Sequence, residues 1–298
     1  MKFGGCENIE NVNFKLPEDH PGTSEILQKN DRGKLLNVFV GCAKWNKQDL
    51  KNFYPKGTKD ELAYYSQQFN SIELNATFYR MFDHEVIISW REKTPEGFRF
   101  FPKVNQSISH IRRLNEVQPL VEEYCDGISN FGDKLGMAFL QMNDNFGYKN
   151  YDRLVRFVEN FPKAIPLAVE LRNNEWFNDD RIASEVYKLF EKNQITNVLV
   201  DTAARRDLLH MRLTTPCLFM RFVGANDPQS DRKRLDTWID RLKIGVDQGL
   251  RDIYFFVHQN IEKESPLLSA YFIEKVNKEF GLTLPLPKLL YPEERELY

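Results

Sequence analysis

The sequence predicts an α/β protein of the TIM-type (β/α)8 barrel class, with an extended N-terminal arm. Three observations point there. The chain has 298 residues, a length that suits one large α/β barrel domain. Short β-branched or aromatic runs alternate along it with longer stretches of helical period. No glycine fingerprint follows the first such run, which disfavours an open dinucleotide-binding sheet.

The elements follow in order. Residues 1–36 carry Gly4, Gly5, Asn8, Asn11, Asn13, Pro17, Pro21 and Gly22 with little periodicity, and read as an arm, either a loose terminus or a flap over the barrel. Residues 37–298 form the barrel domain. Residues 38–42 are the first strand. Thr58 and Glu61 have the spacing of a capping box, ahead of an apolar stripe of Leu62, Tyr65 and Phe69. Residues 71–75 are the second strand, and residues 85–93 a short helix stopped by Thr94-Pro95. Residues 98–104 are the third strand, followed by a helix over 117–130. Residues 135–141 are the fourth, with a helix over 152–161 stopped by Pro162. Residues 167–171 are the fifth, and Asp179 or Asp180 caps the next helix. Residues 197–201 are the sixth, residues 217–223 the seventh and residues 253–257 the eighth. Between the sixth and seventh, the linker 202–216 is only weakly helical. Helices over 232–247 and 266–280 complete the set, the last ended by Gly281, and a Pro-rich strap closes the chain.

Composition narrows the classes. Hydrophobic residues make up 42% and aromatic residues 13%, which is enough for a packed core and argues against disorder. The net charge of -2 argues against a surface that is basic throughout, so a dedicated nucleic-acid binder is not expected. Cys6, Cys42, Cys125 and Cys217 are far apart and lack metal-ligand spacing, so they read as reduced thiols in a cytoplasmic protein. The first residues lack an apolar signal segment, and no run approaches the roughly 18 apolar residues of a membrane span.

Barrel chemistry sits where strands end. The second strand ends in Glu73 and Asn75, with Tyr79 just beyond. The third ends in Lys103, with His110 beside Arg112 and Arg113 in the loop after it. The fourth ends in Gln141. The fifth carries Glu170 and Arg172, the sixth ends in Asp201 and the seventh carries Arg221. His258, Gln259 and Asn260 follow the eighth. Glu73 and Asn75 share a strand face, as do Glu170 and Arg172. Inward-facing charges in this number must pair or bind something. Taken singly, each has a plain structural reading: Glu73 with Lys103, or Glu170 with Arg172 or Arg221, as ion pairs, and Asp201 as a helix cap. Phe78 and Tyr79 read first as packing under a loop. No GxSxG, P-loop, HExxH or EF-hand pattern is present.

The segments VGCAKWNKQDLKNFYPKGT, FNSIELNATFYRMF and WREKTPEGFRFFPKVNQSISHIRRL, with AVELR, LVDT, FMRFVG and FFVHQN later, resemble the YecE-like family, also called domain of unknown function 72. The resemblance implies a TIM-type barrel and no particular activity. It adds weight to Glu73, Asn75, Lys103, Gln141, Glu170, Arg172, Asp201 and Arg221. Lys44, Leu50 and the His258-Gln259 pair depart from the family's usual residues, and the arm is not typical of it.

Three functional readings stay open. The first is an enzyme on a small phosphate- or carboxylate-bearing substrate. Lys103, Arg172 and Arg221 would hold the anion, Glu73 or Glu170 would move protons, and His258 would be the reserve carrier; Asp201 joins this catalytic set, and Asn75, Tyr79, His110, Gln141 and Asn260 join the binding set. No cofactor or metal is assigned on this reading. The second is a metal-dependent barrel of the xylose isomerase or endonuclease IV type, with Glu73, Glu170, Asp201 and His258 as ligands; the neighbouring cations weigh against it. The third is a non-catalytic module for a metabolite, a protein partner or, on the Arg112-Arg113 loop, a nucleic acid. The oligomeric state is not legible.

Overall fold

A computed structural model of the chain describes residues 5, 8–30 and 33–288. Among them are eight β-strands: β1 (Asn37–Cys42), β2 (Ser71–Leu74), β3 (Arg99–Pro102), β4 (Ala138–Gln141), β5 (Leu167–Glu170), β6 (Thr196–Thr202), β7 (Cys217–Val223) and β8 (Asp252–His258). The helices are α1 (Pro21–Gln28), α2 (Glu61–Gln68), α3 (Ala76–Tyr79), α4 (His84–Glu92), α5 (Gln118–Ser129), α6 (Tyr151–Asn160), α7 (Asp180–Lys192), α8 (Pro228–Gln248) and α9 (Ser265–Phe280). All strand pairs are parallel. Six strands form one curled sheet in the order β1-β8-β7-β6-β5-β4, and β2 pairs with β3 in a second.

The two sheets meet at both edges. Between β3 and β4, single parallel bridges join Phe100 to Leu135 and Lys103 to Phe139. Between β1 and β2, side chains replace the backbone ladder. Val40 N donates to Asn70 Oδ1 at 2.9 Å, and Asn70 Nδ2 donates to Val38 O at 2.8 Å. The Tyr65 hydroxyl accepts from Cys42 N and donates to Ser71 O. Gly41 permits this approach, because a Cβ there would lie 2.2 Å from Ser71 O.

Apolar packing has two parts. Inside the curl, Phe101, Met137, Phe139, Ala168, Val198, Val200, Cys217, Phe219 and Phe256 form one cluster. A larger cluster lies between strands and helices. Strand alternation thus sorts each residue to the interior or to the helix layer.

The predicted elements recur with edges shifted by a few residues. Asp60, not Thr58, caps α2 by accepting from Ala63 N, while Thr58 Oγ1 bonds Pro55 O and Glu61 accepts from Lys47 N. Asp179 is the cap of α7, and Gly281 ends α9 at a φ of 64°. The linker after β6 forms only a 3-10 turn, Arg206–Leu208. Its place in the helix layer is taken by α1 from the arm. Thr23 Oγ1 donates to Met211 O and accepts from Leu213 N, and His20 packs edge-on against Tyr187 of α7. The arm is thus anchored through α1, and ahead of it the Phe14 and Lys15 carbonyls accept from Arg206 in the linker after β6. Lys288, at the start of the C-terminal strap, bonds Gln68; residues 289–298 and Cys6 lie outside the described residues.

Candidate functional site

The interior changes character toward the carboxyl ends of the strands. Phe101, Phe139, Phe219 and Phe256 floor it. Two residues further along their strands, on the same face, come Lys103, Gln141, Arg221 and His258. Glu73 and Glu170 join them from β2 and β5. A charged layer thus rests on an aromatic one, with the strand period setting both.

Arg221 is the hub. Its Nε and one terminal nitrogen donate to the two Glu73 oxygens, each at 2.9 Å. Its other terminal nitrogen donates to Glu170 Oε2 at 2.7 Å and to Gln141 Oε1 at 3.4 Å. Both carboxylates and the guanidinium are buried. Glu73 Oε2 also meets His258 Nε2 at 2.8 Å, and Glu73 Oε1 accepts from Asn75 Nδ2 at 2.9 Å. Arg172 Nε donates to Glu170 Oε1. Burial alone would raise both carboxyls. Arg221 and His258 overcome this and hold Glu73 well below the usual carboxylate range. Arg172 and Arg221 likewise hold Glu170 below its ordinary value.

Lys103 is different. It is only 8% exposed, yet no carboxylate pairs with it among the described residues. Its Nζ donates to Gln141 Oε1 at 2.9 Å and lies 4.2 Å from the centre of the Phe78 ring. Burial, reinforced by Arg221, pulls the amine down to about 7. His110 packs edge-on against Phe78, 4.9 Å between centroids. Burial, then Lys103 and Arg172, push it down to about 4.

Of the residues expected at the mouth, Glu73, Asn75, Lys103, Gln141, Glu170, Arg172, Arg221 and His258 come together, with His110 at the margin. Tyr79 stands on the rim and is 67% exposed, and Asn260 lies exposed on the loop after β8. Asp201 is a correction. Val198 and Val200 face the interior, so alternation turns Asp201 to the helix layer. There it accepts from Arg234 and Trp238 of α8 and from Arg206. Burial would raise it; Arg234 and Arg206 hold it low. The expected ligand set of Glu73, Glu170, Asp201 and His258 is therefore not assembled. Among the described residues no three His, Cys, Asp or Glu side chains converge as a metal site would require. Sequence reading underrated Phe78, whose ring faces the Lys103 amine, and missed Arg205, which donates to the Arg172 carbonyl and lies near Asp144. The pair Arg205-Arg206, four and five residues past Asp201, was the available signal.

These features define a parallel β/α protein with a buried ionic layer at the carboxyl ends of its strands. The chain belongs to the family described as protein of unknown function DUF72, whose model matches residues 39–290. UPF0759 protein YecE of Escherichia coli K12 is 26% identical over 275 residues, covering 84% of this chain and 98% of the relative. UPF0759 protein YunF of Bacillus subtilis 168 is 26% identical over 150 residues, 47% of this chain and 52% of that protein. In fold, the chain is similar to a DUF72 family protein of Thermotoga maritima MSB8, with a TM-score of 0.67 at 24% identity, covering 81% and 99% of the two chains. A DUF72 family protein of Enterococcus faecalis V583 gives 0.65 at 18%, covering 83% and 99%. No helix among the described residues is long and apolar enough to cross a membrane.

Proposed function

We propose that the eight strands close into a (β/α)8 barrel and that the chain is an enzyme acting on a small anionic substrate at the mouth. Closure is supported by the bridges between β3 and β4 and by the Asn70 and Tyr65 bonds between β1 and β2. The anionic substrate is supported by charge. Two carboxylates, Glu73 and Glu170, face Arg172, Arg221 and Lys103. The depressed values of Lys103 and His110 both have neighbouring cations among their causes. That shared depression by neighbouring cations is the observation that carries the reading, since a phosphate or carboxylate would relieve it.

The roles follow from what each group already does. Arg221 is occupied on both edges by carboxylates, so it organises the layer. Arg172 meets the anion, within electrostatic reach of Lys103. Glu73 and Glu170, held ionised by their arginines, make poor proton carriers near neutrality. Lys103, near 7, is the group tuned for proton transfer there. An anion beside it restores its affinity for a proton, so binding at neutral pH takes one up. Calorimetry with inorganic phosphate in two buffers of different ionisation enthalpy tests this. Proton uptake that vanishes in Lys103→Met, with affinity weakened in Arg172→Ala, is expected. Binding indifferent to both substitutions overturns the reading.

A further inference from the structure

We propose that Lys103 is a covalent nucleophile: its amine forms an imine with the aldehyde or ketone carbon of a substrate whose anionic group seats beside Arg172. This deepens the anion reading above and rests on it, by naming the substrate class as an anionic carbonyl compound.

The geometry carries the argument. A buried lysine ordinarily has a carboxylate partner, because an unpaired ammonium is costly to desolvate. Here the two nearby carboxylates are consumed by arginines, Glu73 by Arg221 and Glu170 by Arg221 and Arg172. The hydrogen-bond partner of Nζ is the Gln141 Oε1 atom, which also accepts from Arg221. One amide oxygen thus serves two cationic donors, a poor site for an ammonium and an adequate one for a neutral amine. A neutral amine donates one hydrogen to Gln141 and retains a lone pair. Burial and a neighbouring cation are the two devices that make a lysine nucleophilic at neutral pH, and the strand period places this one inside the mouth.

The step balances without a further reagent. The Lys103 lone pair attacks the carbonyl carbon, a C–N bond forms and the C=O π pair moves to oxygen. A proton passes from nitrogen to that oxygen, giving a carbinolamine. The hydroxyl then leaves as water with the second amine hydrogen, and the C=N bond forms. No atom is oxidised or reduced.

The test uses the full chain at neutral pH with glyoxylate and with dihydroxyacetone phosphate, trapped by sodium cyanoborohydride and mapped by peptide mass spectrometry. The expected result is a reduced adduct on Lys103 ahead of the surface lysines, suppressed by inorganic phosphate and lost in Lys103→Arg. Acetone, which lacks the anion, is expected to label Lys103 poorly; equal labelling overturns the anion-directed part. Wild-type adducts confined to other lysines overturn the imine outright, whether or not Lys103→Arg folds. Phosphate binding by calorimetry, run alongside, separates the two claims. Binding without a Lys103 adduct rejects the imine and leaves the anion site standing; absence of both rejects both.

Discussion

Arg221 and Glu73 sit on different sheets, Arg221 on β7 of the six-stranded sheet and Glu73 on β2 of the two-stranded one, and they are joined by two hydrogen bonds of 2.9 Å. The pair crosses the interior. It ties the sheets together at the level of the candidate site, as Asn70 ties them along the β1–β2 edge. The same residues therefore bear on stability and on the electrostatics of the mouth.

Arg221→Met should be severely destabilising. It leaves Glu73 and Glu170 buried without their shared cation, a situation that costs about 3–5 kcal/mol. Denaturant unfolding should show the midpoint shift. Glu73→Gln combined with Arg221→Met should recover part of it, and a fully additive double variant would contradict the pairing.

Acid should act through the same carboxyls. Glu73 has a folded value well below its ordinary one, so its contribution is present above the unfolded value and lost as pH falls through the folded one. Urea midpoints measured from neutral pH downward should fall more steeply for the wild type than for Glu73→Gln. Parallel curves would show that Glu73 is not stabilised as an anion.

Lys103 has the opposite pH signature. Its folded value is about 7, against an ordinary 10.5. Between these the unfolded chain binds more protons, so stability rises with pH, by at most about 1.4 kcal/mol per unit. Lys103→Met should remove that rise. Its advantage over the wild type, present at neutral pH, should shrink toward roughly pH 10, where the unfolded lysine also loses its charge.

Asp201→Asn should separate structure from site. It leaves Arg206 without its anion and Arg234 with Asp231 as its remaining carboxylate partner, and should cost about 1–3 kcal/mol. Phosphate affinity at the mouth should be unchanged in the folded protein, measured by calorimetry below the melting range. A loss of affinity with retained fold would return Asp201 to the site.

Asn70→Ala should loosen the β1–β2 edge. It leaves the Val40 N–H and the Val38 carbonyl unpaired, worth about 1–3 kcal/mol for the buried donor. Amide exchange at Val40 should quicken more than at the β7–β8 ladder. Uniform exchange across the strands would argue that another contact holds this edge.

The sequence by itself determined the alternation of strands and helices, and with it the level at which Glu73, Lys103, Gln141, Glu170 and Arg221 lie. A period of two fixes that Glu73 shares a face with Ser71, and Arg221 with Phe219, whatever the fold. It could not fix which face is the interior. Asp201 shows why: on β6 the interior face belongs to Val198 and Val200, so the carboxylate meets Arg234 on the far side. Partners were equally out of reach. Glu73 finds Arg221, 148 positions away, instead of the nearer Lys103, because the interior is narrow enough for β7 to face β2. The arm shows the same limit. Its irregular composition hid α1, a short helix secured by contacts with Met211, Leu213 and Tyr187, which local periodicity does not report.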